Sequence, residues 1–179
     1  QREGRRLAIY NLGGSPLGHE DLRVFVADKL GIRAATTVEP DQVLVTSGSL
    51  QALDLVNDLL LSPGDNVIVE EATYGGMLSR LQRLGVEVHG VRLDSDGVCP
   101  EHLRELLDRC VSDGRPAKYL YTIPTVQNPT GSCMPLERRL EILEVMDKYE
   151  TAIFEDDCYA DLLWGCARPP TLWELDQAD

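Results

Sequence analysis

Positive charge is in short supply in this sequence. Across 179 residues, 17 lysines and arginines face 30 aspartates and glutamates, a formal net charge of -13. A surface so acidic repels nucleic-acid phosphates and anionic membranes, both of which attract basic patches, so neither is expected as a partner and a small molecule is favoured. Paired cysteines are missing as well. Cys99, Cys110, Cys133, Cys158 and Cys166 are odd in number and lack CxxC or metal-ligand spacing. That argues against a disulfide framework and against a zinc or other metal site, and for reduced thiols in a cytoplasmic protein. No apolar run approaches the length of a membrane span, and no charged-then-apolar leader opens the chain. What is present is 43% hydrophobic content, enough for one sizeable core in a single domain.

The hydrophobic pattern alternates between two periods. Leu22, Phe25, Val26 and Leu30 recur at helical spacing, and Gly31 follows where a helix cap would sit. Residues 42–46 (QVLVT) read as a strand, TSGS as a glycine turn, and QALDLVNDLLL as a helix ended by Ser62-Pro63-Gly64-Asp65. A strand at 66–70, a helix at 74–84 stopped by Gly85, a strand at 86–91 and a loop at 94–97 follow. Pro100 and Pro135 each sit where a first helical turn tolerates proline, the first before the strand KYLYTI and the second before the strand TAIF. Strands alternating with helices of this length predict a three-layer α/β/α fold with a mostly parallel sheet.

In such a sheet, ligands collect at the carboxyl ends of the strands. Four polar segments follow predicted strands: Ser47-Gly48-Ser49-Leu50-Gln51, Glu71-Ala72-Thr73-Tyr74, the run PTVQNPTG, and Glu155-Asp156-Asp157-Cys158-Tyr159. The first suits a phosphate at a helix N-terminus, though taken alone such a turn is more often an ordinary helix cap. Tyr74 is placed either to stack on a flat heteroaromatic ring or to pack at a core edge. In PTVQNPTG two prolines and a glycine fix the backbone around Asn128, a neutral donor suited to an oxyanion, and Asn128-Pro129 is a candidate cis bond. Asp156 and Tyr159 can turn a carboxylate and a phenol into one pocket. An acidic run is commonly just a solvated turn, but the apolar strand before this one requires at least one carboxylate to be semi-buried and partnered.

Taken in order, GSLQALDL, PGDNVIVEEATY, YTIPTVQNPTG and IFEDDCYADL resemble the fold-type-I pyridoxal-phosphate (PLP) enzymes of aminotransferase class I/II. The likeness covers nearly the whole chain. It implies that Ser49 and the backbone of Leu50 hold the PLP phosphate, that Tyr74 stacks on the pyridine ring, and that Asn128 and Tyr159 bond the ring's phenolic oxygen. Asp156 would pair with the ring nitrogen, and Tyr10 would reach the phosphate of a neighbouring subunit in a homodimer. Amino acids and 2-oxo acids are the implied substrates. Leu50, Ala72 and Cys158 depart from the residues usual in the family, which are glutamine, proline and proline.

The resemblance also implies that residues 1–179 are part of a PLP-binding large domain. The cofactor-bearing lysine and a C-terminal small domain would lie beyond Asp179. Only Lys29, Lys118 and Lys148 occur in the sequence, so no catalytic lysine is assigned and the chain by itself is expected to be inactive. Transamination by the full-length protein is the leading expectation. An aminotransferase-like effector domain of a transcription regulator, or a PLP-dependent lyase or synthase on the same fold, are the alternatives.

Overall fold

A computed structural model describes residues 16–165 and 167–177. Tyr10 and Cys166 lie outside them. Four strands form one parallel sheet in the order β2, β1, β5, β6, namely β1 (Asn66–Glu70), β2 (Glu87–Val91), β5 (Ala117–Thr122) and β6 (Ala152–Glu155). Helices carry the chain between them: α3 (Gly75–Leu84), α4 (Pro100–Ser112) and α5 (Leu136–Lys148). Pro100 is the first residue of α4, while Pro135 caps α5 from just outside.

Strand alternation divides the core in two. Ile68 and Leu120 face the layer of α4 and α5, packing with Leu103, Leu107, Ile142 and Val145. Val67, Val69, Tyr119 and Tyr121 face the other layer, meeting Leu53 of α2 (Ser49–Leu60) and Met77 and Leu81 of α3. A short antiparallel pair, β3 (Leu93–Asp94) with β4 (Gly97–Val98), occupies the predicted loop. From β1 the chain goes outward to β2 and then returns to β5 on the opposite side of β1, which makes the β1/β5 boundary a topological switch point.

Two sequence readings are corrected. Residues 42–46 form no strand in the sheet. Pro40–Gln42 make a 3-10 turn, Val43 is extended, and beyond the turn Val45 N donates to Leu17 O at 2.8 Å. Their β-branched character yields an extended backbone, but the ladder needs a partner that this stretch does not have among the described residues. The first helix, α1 (Glu20–Ala34), passes through Gly31 and buries a face turned away from the one its apolar spacing suggests, keeping Val26 and Leu30 half-buried but leaving Leu22 and Phe25 outside. Leu22 is 46% and Phe25 65% exposed, whereas Arg23 is buried, its guanidinium on Pro40 O at 2.7 Å and Asp41 at 2.9 Å. Satisfying that charge turns the helix. Gly31 is still required, because the chain doubles back and a Cβ there would stand 2.8 Å from Thr36 O.

Candidate functional site at the carboxyl edge of the sheet

Three of the four predicted rim segments leave neighbouring parallel strands at their carboxyl ends: residues 71–74 after β1, 124–131 after β5 and 156–159 after β6. Asn128 donates from Nδ2 to the Tyr159 hydroxyl at 3.3 Å, and Asn128-Pro129 is cis. Asp156 is half-buried and accepts from the Tyr121 hydroxyl at 2.7 Å. Burial first, then the bond to Asp156, pushes the Tyr121 phenol far above its ordinary range, so it is protonated and a donor at neutral pH. Tyr74 and Tyr159 pack against the same core cluster as Tyr121 and Phe154. The Tyr74 ring is folded over the first turn of α3, where a Cβ on Gly76 would come within 2.4 Å of it.

Ser49 and Leu50 stand apart from this group, since the Ser47–Gln51 turn does not leave a sheet strand. Ser49 opens α2, and the N-cap is Gly48 at φ 86, with no side-chain cap. A guanidinium ties this end to the rim: Arg80 of α3 reaches Leu50 O at 3.4 Å and Gly76 O at 3.0 Å, and pairs with Asp54 at 2.8 Å. Nothing would meet a Cβ on Gly48 within 4 Å, so the uncapped turn opens onto free space. Exposed backbone N-H groups at a helix start, with room in front of them, fit an anion.

The acidic turn splits its work. Glu155 faces inward, accepting from Leu172 N at 2.9 Å and Trp173 N at 3.1 Å at the start of α6 (Leu172–Asp176), with Arg139 3.7 Å away. Asp157 pairs with Arg168. Only the middle carboxylate, Asp156, meets Tyr121. Desolvation, then Asp156, raises the neighbouring Cys158 thiol to about 11, so it stays protonated at neutral pH.

Sequence reasoning missed Tyr121, Glu70 and Gln127. Glu70 ends β1 at 1% exposure and is held by Thr122, Ile123 and Gln127. A charge directly after the apolar run Val67-Ile68-Val69 was the available signal, since such a group cannot be buried without partners. Tyr121 offered only its alternation with Tyr119.

The lysines lie away from the Asn128–Tyr159 pair or are otherwise engaged. Lys118 is at the amino end of β5 with Asp65 at 3.8 Å, Lys29 is 3.8 Å from Asp161, and Lys148 sits 5.5 Å over the Tyr149 ring. A cavity of about 450 Å³ opens beyond β6, lined by Met146, Ile153, Leu172 and Trp173, and none of the predicted site residues lines it. Among the described residues no helix is long and apolar enough to cross a membrane.

Comparison with known proteins gives the same picture. A 2-aminoadipate transaminase of Thermus thermophilus is 38% identical over 158 residues, covering 88% of this chain and 37% of that protein. An uncharacterized HTH-type transcriptional regulator of Bacillus subtilis is 36% identical over 87% of this chain and 31% of its own length. Among solved structures, the alpha-aminoadipate aminotransferase of Thermus thermophilus complexed with N-(5'-phosphopyridoxyl)-L-leucine superposes with a TM-score of 0.83 at 36% identity, covering 93% of this chain and 40% of that one. The chain thus spans about two-fifths or less of the length of these relatives. The model of the family described as aminotransferase class I and II matches residues 6–178, and with the parallel sheet and its polar carboxyl edge it establishes that the chain belongs to that family.

Proposed function

We propose that this chain forms part of the cofactor pocket of a PLP-dependent aminotransferase that moves an amino group from an amino acid to a 2-oxo acid. The observation that carries the reading is the pairing of Asn128 with Tyr159 at 3.3 Å beside an Asp156 held by Tyr121 at 2.7 Å. One donor pair and one carboxylate, brought together by adjacent strands, suit a ring with an oxyanion and a protonated nitrogen. Asp156 keeps the proton on that nitrogen, Asn128 and Tyr159 donate to the oxygen, and Tyr74 lies against the ring. Ser49 and the Leu50 amide hold the phosphate at the uncapped start of α2. When bound, PLP supplies the electron sink for the bond broken at the substrate's α carbon. A cytoplasmic homodimer, with Tyr10 reaching the partner subunit's phosphate and the cofactor-bearing lysine supplied outside these 179 residues, completes the proposal.

PLP titrated into the chain is expected to bind saturably, and Asn128→Ala to weaken binding roughly tenfold, the worth of one hydrogen bond to an oxyanion. No saturable binding, in this chain or in the full-length protein, overturns the reading. A panel of amino donors and 2-oxo acids assayed with the full-length protein decides the reaction. The likeness to the Bacillus subtilis regulator supports a second reading, a ligand-sensing effector domain. Sequence-specific DNA binding by the full-length protein without amino transfer would favour it.

A further inference from the structure

We infer that Glu70 is a positioning residue, which fixes, through Gln127, the loop that presents Asn128. Its carboxylate lies at the switch point between β1 and β5 and is 1% exposed. Oε1 accepts from Thr122 Oγ1 at 2.6 Å and Ile123 N at 3.1 Å, both on the chain leaving β5. Oε2 accepts from Gln127 Nε2 at 2.7 Å.

Gln127 is fully used in turn. Its Nε2 also donates to Ala72 O at 2.6 Å, and its Oε1 accepts from Thr130 N and Thr130 Oγ1, each at 2.8 Å. An amide has two protons and two lone pairs, so nothing remains free to turn it. The main chain of residue 127 is pinned on both sides, N on Ser132 O at 2.8 Å and O under Gly131 N at 2.6 Å. The next residue is Asn128.

The residue before it shows why such restraint is needed. Val126 has φ 54, a left-handed conformation that a β-branched side chain strongly disfavours. Such strain persists only where the surroundings over-determine it. Among the described residues Glu70 is the one charged group that holds Gln127, and it ties the loop to two strands of the sheet. The charge is also where burial opposes it: desolvation raises the Glu70 carboxyl above its ordinary range, with the three hydrogen bonds pulling the other way.

Glu70→Gln tests this with almost no change of shape. If the amide at 70 keeps its oxygen on Thr122 and Ile123, its N-H groups meet those of Gln127. Relief requires the Gln127 amide to flip, which takes the acceptor from Thr130 N. The double variant Glu70→Gln with Gln127→Glu restores complementarity everywhere but at Ala72 O. A role in packing alone would not distinguish these isosteric changes.

The readouts are the Asn128 side-chain amide resonances by NMR and the affinity for PLP, with melting temperature recorded beside them. Only the second rests on the proposed function. Glu70→Gln should shift the Asn128 resonances and weaken PLP roughly tenfold, one hydrogen bond's worth. The double variant should return most of both. Should Glu70→Gln fail to fold, Glu70→Asp, which keeps the charge but withdraws it from Gln127 by one methylene, is expected to shift the same resonances. Asn128 resonances unmoved in the folded single variant, or a double variant no nearer to the parent than either single one, overturns the inference. A parent chain that binds no PLP while its variants still shift Asn128 instead removes the cofactor reading and leaves Glu70's role standing.

Discussion

Glu70 sits in a conflict between solvation and hydrogen bonding that pH should expose. Desolvation raises its folded-state carboxyl above the ordinary value, and the hydrogen bonds from Gln127, Thr122 and Ile123 only partly offset that. The folded protein therefore holds this proton more tightly than the unfolded chain does. Linkage fixes the sign: the group's contribution to stability is complete below the unfolded carboxyl pKa, near 4.5, and is lost as pH rises through the higher folded value. The urea midpoint of the parent should accordingly carry a component that falls with rising pH across this window. Glu70→Gln has no proton to lose there, so its midpoint should be flatter over the same range even if lower throughout. Equal slopes in the two proteins would show that Glu70 does not titrate differently on folding.

Between elements, Arg139 joins the most segments. Arg139 of α5 is wholly buried and donates to Met134 O at 2.9 Å, Pro170 O at 3.2 Å, Pro124 O at 3.0 Å and Thr125 Oγ1 at 2.8 Å. It also faces Glu155, the carboxylate seated on the first amides of α6. Arg139→Met leaves that carboxylate without its counter-charge and takes one donor from each of four acceptors, of which Pro124 O keeps Met134 N at 2.8 Å. Breaking a buried pair from one side costs about 3 to 5 kcal/mol, to be read in urea unfolding, with faster amide exchange in α6 and at the base of the Asn128 loop. A loss under about 1 kcal/mol, in the range of an exposed ion pair, would mean that water replaces the guanidinium. Nothing in PLERRLEIL separates Arg139 from Arg138, whose partner is Asp94 at 2.9 Å. The same limit governs what the sequence could disclose. Strands β1, β5 and β6 were legible because short, mainly apolar runs end at proline or acidic turns, β2 because its valines alternate just after the Gly85 stop, and Asn128, Asp156 and Tyr159 because each closely follows one of the apolar runs. Residues 42–46 misled because pairing is decided by distant partners. The facing of α1 misled because it follows Arg23 and Asp41, 18 residues apart. The Glu70–Gln127 bond spans 57 residues, and no local pattern announces it.

At the scale of the whole molecule, acidity has two opposite consequences. The net charge of -13 makes chains repel one another, while Ile32 at 83%, Leu59 at 83%, Trp164 at 87% and Phe25 at 65% exposure give them apolar surface to share. Repulsion is long-ranged and screened by salt, with a Debye length of about 10 Å at 0.1 M falling to about 3 Å at 1 M. Apolar attraction is short-ranged and survives screening. Light scattering at pH 8 should therefore rise as sodium chloride is increased. At low salt it should rise as pH falls toward the isoelectric point near 4.6, where the charge vanishes. Acidification thus strengthens the fold through Glu70 while weakening dispersion, and the pH of highest melting temperature should not be the pH of lowest scattering. Phe25→Glu with Ile32→Glu adds charge and removes apolar surface together, so it should move the onset of scattering to higher salt and lower pH. Scattering indifferent to both salt and pH in the parent would mean that charge is not what keeps these chains apart.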